Sequence, residues 1–509
     1  MRLYSLILPL IKKTLATLLL MTKQKSIKLN FIMNAILTLS SFIFPLITFP
    51  YVSRILLPEG MGKVAMGTSV IAYFALLARL GIPMYGIRAC AGVRDDKVQL
   101  SKTVHELFLI NLFMSGISYI LLFVTILSVP RFAEEHVLYF VMSVTILLEA
   151  LGVEWLYKAL EEYRYITCRS IFFKFVALAA TFLLIHTKQD YVIYGAITIL
   201  AASASNLLNF YNLRKYISFK MFPNYSLKPH LKPVLIFFAT TCAIVIYAQL
   251  NTVILGLMKT NADVGLYDSA MKIKNILVSV VTALGAVLLP RASYYVKQGM
   301  FEEFGRISSK AVHFVCLLAL PLIAYFTLFA TNGIHFLSGE RFDGAILPMQ
   351  IILPTIFLIG LTNIIGIQIL VPLGKEKEVF YSVAGGGVVD LAACLFLIPG
   401  YAVVGAAISN LLAELTVFVL QIYYVSKCRD KVNVAQALRR VEYGKIFLAI
   451  MVAIGVAWQC KSIAWKDFYV LLLSGTVFFA VYGVCLFVLK EKFFMEMLIP
   501  VKEKFKTLE

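Results

Sequence analysis

Several kinds of chemistry have no foothold in this sequence. It contains no Walker A glycine loop, so nothing supports ATP hydrolysis by the chain itself, and no zinc signature occurs. The six histidines form no ligand-spaced pair. Eight cysteines (Cys90, Cys168, Cys242, Cys316, Cys394, Cys428, Cys460 and Cys485) are scattered without a CxxC, which argues against structural disulfides and a metal site alike. Charge is scarce: 15% of residues, against about 25% in a soluble globular chain. Long polar segments are missing too. No connection between apolar runs exceeds about twenty residues, which leaves no room for an extramembrane domain.

What fills the chain instead is hydrocarbon. Of the 509 residues, 60% are hydrophobic, and the mean hydropathy is +0.85. Apolar runs near twenty residues recur throughout, each long enough to cross roughly 30 Å of bilayer as a helix. Fourteen such runs lie between residues 30 and 489, which predicts an all-α polytopic membrane protein. The net charge of +19 reports its topology. With a cytoplasmic N-terminus, 35 of the 47 Lys and Arg fall in cytoplasmic segments, with Arg169 and Lys445 at span margins counted there. Eight fall outside and four (Arg79, Lys174, Lys272 and Lys274) within spans. That bias is the positive-inside pattern, read over short loops, and it gives no reason to expect a nucleic-acid partner. The segment Arg214–Lys232 has five basic residues and no acidic one, suited to anionic lipid headgroups.

The first twenty residues imitate a signal peptide, but Lys12 and Lys13 split the apolar run and no small-residue cleavage site follows. Translation is expected to start at Met21, with 1–29 a basic cytoplasmic leader. A shift of 203 residues lays 62–91 over 265–294, matching Gly62 to Gly265, Arg88 to Arg291 and Ala89 to Ala292. Two parallel six-helix repeats would form a V-shaped cavity of the transporter kind. The expected plan is a lobe at 30–211, a basic linker at 212–233 and a second lobe at 234–425. A basic loop at 426–443, an appended helix pair at 444–489 and a cytoplasmic tail at 490–509 complete it.

The stretches FPLITFPYVSRILLPEGMGKVA and LLARLGIPMYGIRACAGVRDDKVQLSK resemble the N-terminal signature of Wzx-type polysaccharide flippases. These belong to the multidrug/oligosaccharidyl-lipid/polysaccharide exporter superfamily. QLNTVILGLMKTNADVGLYDSAMKI, at 249–273, is similar to the start of their second half. The resemblance implies a non-enzymatic carrier in the bacterial inner membrane, both termini cytoplasmic. It would move undecaprenyl-diphosphate-linked oligosaccharide units outward by alternating access, for O-antigen, capsule or exopolysaccharide. It needs no cofactor beyond a coupled H+ or Na+, and implies a polysaccharide polymerase and chain-length machinery as partners. Related carriers often have an acidic residue where this chain has Asn251. Pro45 and Pro50 each remove a backbone donor, a loss tolerated beside a cavity, so they are candidate hinge positions.

Charges at bilayer depth cost about 2.5–3.5 kcal/mol each on insertion scales, so each calls for a partner or a task. Glu154 and Lys174 are expected to pair across adjoining spans. Asp268 and Lys272, four apart, can neutralise each other on one helix face. Lys274, in a stripe with Tyr267, has no local partner, and neither does Arg79. Removing Lys274 is therefore expected to be harmless to insertion, and removing Lys272 to strand Asp268. With Arg54, Arg88 and Arg291 at span ends, where arginine also snorkels to headgroups, these cations form a basic ladder suited to a diphosphate. Asp390 and Glu414 lie at similar mid-membrane depth, where two carboxylates share a proton or bind a cation. With Asn251 they are the candidate coupling group.

Three rival readings remain. A membrane polysaccharide polymerase or ligase would need a sizeable external loop, and the longest here, 331–344, has fourteen residues. A multidrug cation antiporter would favour an acidic cavity over a basic one. A peptidoglycan-precursor flippase matches the same composition.

Overall fold

The computed structural model describes residues 27–463 and 465–496; the expected leader, apart from its last three residues, and the end of the expected tail lie outside these. Every described element is a helix. Eight helices are long and apolar enough to cross a membrane, or eleven when each of three bent pairs counts as one crossing. The chain is a multi-pass membrane protein.

Two rods are long enough to cross a bilayer twice. Ile27–Arg79 leaves helical geometry at Leu57 (φ 59°, ψ 176°), immediately before Pro58, whose ring disfavours helix in the residue preceding it. Glu376–Ser426 does so at Ala402 (φ 46°, ψ −119°), just after Pro399 and Gly400. Pro45 and Pro50 sit within continuous helix, so the departure lies further along the rod than either proline. Residues 331–344, read from sequence as an outer loop, are largely wound into the Ala330–Ser338 helix and a 3-10 turn over Glu340–Ala345.

The chain folds as two compact units, one taking residues 27–55 and 67–242, the other 56–66 and 243–496. In the first, Ile82, Leu107, Leu156 and Tyr157 are buried in a core built by the Ile82–Gly92, Lys97–Ser128 and Glu154–Ala159 helices. In the second, the hairpin of Tyr443–Trp458 and Asp467–Val488 docks on Phe301–Leu328. Tyr325 donates to the Leu471 carbonyl at 2.8 Å, and Tyr482 to that of Leu317 at 2.9 Å. The second unit also holds Gly62 against Gly265, the pair matched by the sequence repeat. A β-carbon on Gly62 would run into the Asn261 carbonyl, and one on Gly265 into that of Pro58. Backbones in a bilayer approach this closely only across small residues.

Candidate functional site

Polar side chains from three rods meet inside the second unit. Asn251 comes from Lys228–Met258, and Tyr267 and Lys274 from Asn261–Lys297. Asp390 and Cys394 lie before the Ala402 break in Glu376–Ser426, and Glu414 after it. All are buried: Asp390 is 0% exposed, Tyr267 1%, Asn251 4%, Lys274 6% and Glu414 7%. Asn251 donates from Nδ2 to Asp390 Oδ2 at 2.8 Å, and its Oδ1 accepts from the Cys394 thiol at 3.0 Å. Asp390 and Cys394 share a helix face, being four residues apart. The Lys274 ammonium lies in the field of the Glu414 and Asp390 carboxylates. The Tyr247 hydroxyl stands beside Glu414 without closing a regular hydrogen bond, and that of Tyr267, facing the acidic pair, has no hydrogen-bond partner. On either side of Glu414 on the same rod, Asn410 and Gln421 are buried with side-chain oxygens that make no hydrogen bond.

Among the described residues Lys274 closes no ion pair, and the acidic groups whose field reaches it are Glu414 and Asp390. The residues read separately as ligand-binding (Lys274, Tyr267) and as coupling (Asp390, Glu414, Asn251) therefore lie in one buried region. A signal for this was present in the sequence. Lys274 lies ten residues inside its span, about 15 Å deep at 1.5 Å per residue, comparable with the carboxylates. Cys394 and Tyr247 carried no such signal. Two carboxylates and one ammonium cannot all stay charged without a net negative charge in low dielectric. The cluster therefore balances when it holds one further positive charge.

In the first unit the sequence-based pairings are rearranged. Arg79 is not solitary: its Nε lies 3.3 Å from Glu149 Oε2 and donates to the Ala75 carbonyl at 3.2 Å. Glu154 does not pair with Lys174. It binds Lys158 Nζ and Arg169 Nη2, each at 2.9 Å, while Lys174 donates to Ser40 Oγ at 2.8 Å and Ser41 Oγ at 2.9 Å. Arg169, only 4% exposed, also reaches Ser205 and Asn206. It escaped the sequence reading because it lies at a span margin, where arginine usually snorkels to the headgroups.

The other basic candidates lie nearer the surface. Arg88 and Arg291 are exposed, and Arg54 donates to the Pro50 carbonyl at 2.5 Å. Lys272 pairs with Asp268 at 3.6 Å, as the four-residue spacing predicts. A buried carboxylate unremarked in the sequence, Glu106, accepts from the Ser226 backbone N–H at 2.7 Å and pairs with His230 Nε2 at 2.9 Å. His230 Nδ1 in turn meets the Tyr85 hydroxyl at 2.9 Å, so the basic segment 213–232 is clamped to its own unit.

A family model described as polysaccharide biosynthesis protein matches residues 27–296. A protein of Escherichia coli (strain K12) named as an O-antigen transporter is 24% identical over 411 residues, covering 79% of this chain and 98% of that protein. One of Shigella dysenteriae with the same name is 23% identical, covering 77% of this chain and 98% of that protein. Among solved structures, lipid II flippase MurJ in an inward closed conformation superposes with a TM-score of 0.67. Its identity is 14%, over 90% of this chain and 97% of that one, which is a likeness of fold.

Proposed function

The chain belongs to the polysaccharide biosynthesis protein family, and from that premise we propose that it is a carrier, not an enzyme, moving a lipid-linked oligosaccharide across the membrane for surface polysaccharide assembly. The observation that carries this reading is the end-to-end similarity to two proteins named as O-antigen transporters. The fold likeness to a lipid II flippase does not favour that substrate.

In this reading the cargo is an undecaprenyl-diphosphate-linked repeat unit. It passes from the inner to the outer leaflet of the bacterial inner membrane by alternating access of lobes 30–211 and 234–425, and a polymerase and chain-length machinery receive it. Fourteen crossings follow if the rods broken at Leu57 and Ala402 count twice each and His136–Gly152 joins the eleven. Both termini then face the cytoplasm. The exposed or half-exposed cations Arg54, Arg88, Arg291 and Lys272, with Arg79 beside Glu149, are the candidates for the diphosphate. Pro45 and Pro50, each lacking a backbone donor, are where the first arm would flex. The buried cluster of Asn251, Asp390, Glu414, Lys274 and Tyr267 is assigned to coupling with an ion gradient. Its burial supports that role better than direct contact with a sugar-bearing lipid.

The test is deletion of the gene in its own host. The expected result is loss of surface polysaccharide with accumulation of lipid-linked repeat units in the inner leaflet, restored by the native chain. Asp390→Asn and Glu414→Gln should reach the membrane at native levels and fail to restore it. Normal polysaccharide in the deletion strain would sink the reading.

A further inference from the structure

A cation deep in a bilayer calls for a partner or a task, and the four expected within spans do not share one answer. Arg79 has Glu149, Lys272 has Asp268, and Lys274 lies in the field of Glu414 and Asp390. Lys174 has no carboxylate among the described residues. Its Nζ donates to Ser40 Oγ at 2.8 Å and to Ser41 Oγ at 2.9 Å. Both hydroxyls direct their own protons to the Leu37 carbonyl, at 2.6 and 3.2 Å, so only their lone pairs face the ammonium. An ammonium has three donors; two are used here, and the third has no acceptor among the described residues. Two neutral hydroxyls give the ammonium a direction and leave its charge uncompensated. Snorkelling does not relieve it. Lys174 lies eleven residues beyond Tyr163 and ten before Leu184, about 15 Å from either end of its helix, farther than a four-carbon stem spans.

Contacts at three depths fix the two helices that build this seat. Thr167 donates to the Met33 carbonyl at 2.9 Å, Lys174 meets Ser40, and Tyr51 donates to the Ile185 carbonyl at 2.8 Å. Each pair is 134 residues apart, so the Ile27–Arg79 and Tyr163–Leu184 helices run parallel in one register. The Phe44 and Phe175 rings meet edge-on, with centroids 4.9 Å apart. Ser40 is buried and Lys174 half-buried, whereas Ser41 is exposed, so the seat is open on one side. We propose that Lys174, in its Ser40–Ser41 seat, is the mid-membrane contact for a phosphate of the lipid-linked cargo. The inference deepens the transport reading above and takes its cargo from it. A resident phospholipid keeps its headgroup outside the hydrocarbon core, so a phosphate that reaches this depth is one in transit. Lys174 offers it a point charge and one free donor.

The experiment titrates the full chain, purified in detergent, with undecaprenyl diphosphate, undecaprenol and phosphatidylglycerol, and counts bound lipid by native mass spectrometry. The native protein should prefer the diphosphate over the other two by about tenfold or more. Lys174→Gln should weaken diphosphate binding about tenfold, the scale of a hydrogen bond to a charged group, and leave undecaprenol binding unchanged. Lys174→Arg should keep most of the affinity. Lys220→Gln, which removes the same charge from an exposed position outside the spans, should bind as native. Native diphosphate affinity in Lys174→Gln overturns the proposal, as does an equal loss in Lys220→Gln. So does a native chain without the preference, or Lys174-dependent binding of phosphatidylglycerol as tight as that of the diphosphate. If Lys174→Gln is not recovered, amine footprinting of the native chain decides. Protection of Lys174 by undecaprenyl diphosphate and not by undecaprenol supports the proposal, and its absence refutes it. Diphosphate binding that survives Lys174→Gln sinks this site alone, while the transport reading falls only with the deletion phenotype, so the two failures are separable.

Discussion

Lys272 and Lys274 are two residues apart, and the structure reverses the order of importance that local spacing assigns them. Read from sequence, Lys272 has the partner and Lys274 has none. In the folded protein the Lys272–Asp268 pair is shallow, with side chains 42% and 22% exposed and 3.6 Å between charged atoms. Partly exposed i,i+4 pairs of this kind contribute ~0.3–0.5 kcal/mol. Lys274 is 6% exposed in the field of the Glu414 and Asp390 carboxylates, and removing the counter-charge of a buried ionic group costs about 3–5 kcal/mol because the other charge is left uncompensated. Lys274→Ala should therefore destabilise the purified protein by several kcal/mol in Na+-free buffer, and Lys272→Ala by a fraction of one. Equilibrium unfolding in mixed micelles, with each single variant and Lys274→Ala/Glu414→Gln, supplies the comparison. The double variant should recover much of the loss, since the two residues share one interaction and their effects are non-additive. If Lys274→Ala is as stable as the native chain while Lys272→Ala is not, the burial argument is wrong and the local pairing governs.

Other consequences follow from particular contacts. Gly62→Val and Gly265→Val should each lower the amount of folded protein in the membrane, with a cost of about 1–3 kcal/mol or more from overpacking, because a side chain at either position meets backbone; native thermal midpoints would refute the close crossing. Glu106→Ala should cost about 1–3 kcal/mol by leaving the Ser226 N–H and His230 unsatisfied, and should speed proteolysis within 216–228 in inside-out vesicles. Asp190 accepts backbone N–H groups from His186 and Thr187, which hold its carboxyl below the usual range. Its contribution to the 185–191 turn is complete above the ordinary aspartate value near ~4 and is lost as pH falls through the lowered folded value. Hydrogen exchange of the His186 and Thr187 amides should accelerate only in that acid range, and Asp190→Asn should remove the acid step.

Hydropathy alone determined the class of this protein. A run of twenty apolar residues has one stable solution in lipid, a helix with its own backbone hydrogen bonds, so helices across the membrane were legible without any tertiary information. So was the Asp268–Lys272 pair, because residues four apart on one helix meet whatever surrounds them. Even the Gly62–Gly265 match was visible as a repeat, although nothing in the sequence said that these two glycines touch. Partners across helices were not legible: Glu149 for Arg79, Arg169 for Glu154, Asp390 for Asn251. The reason is that lipid tails are as apolar as leucine, so a membrane helix need not mark its buried face by composition. Phe396 is 83% exposed and Cys394, two residues earlier, is fully buried, yet both are apolar residues in one unbroken run. With no amphipathic stripe to give the rotation of each helix, depth was readable from the sequence and azimuth was not. Azimuth is what separates a lysine turned outward from one buried in the field of two carboxylates, and only the packed structure supplied it.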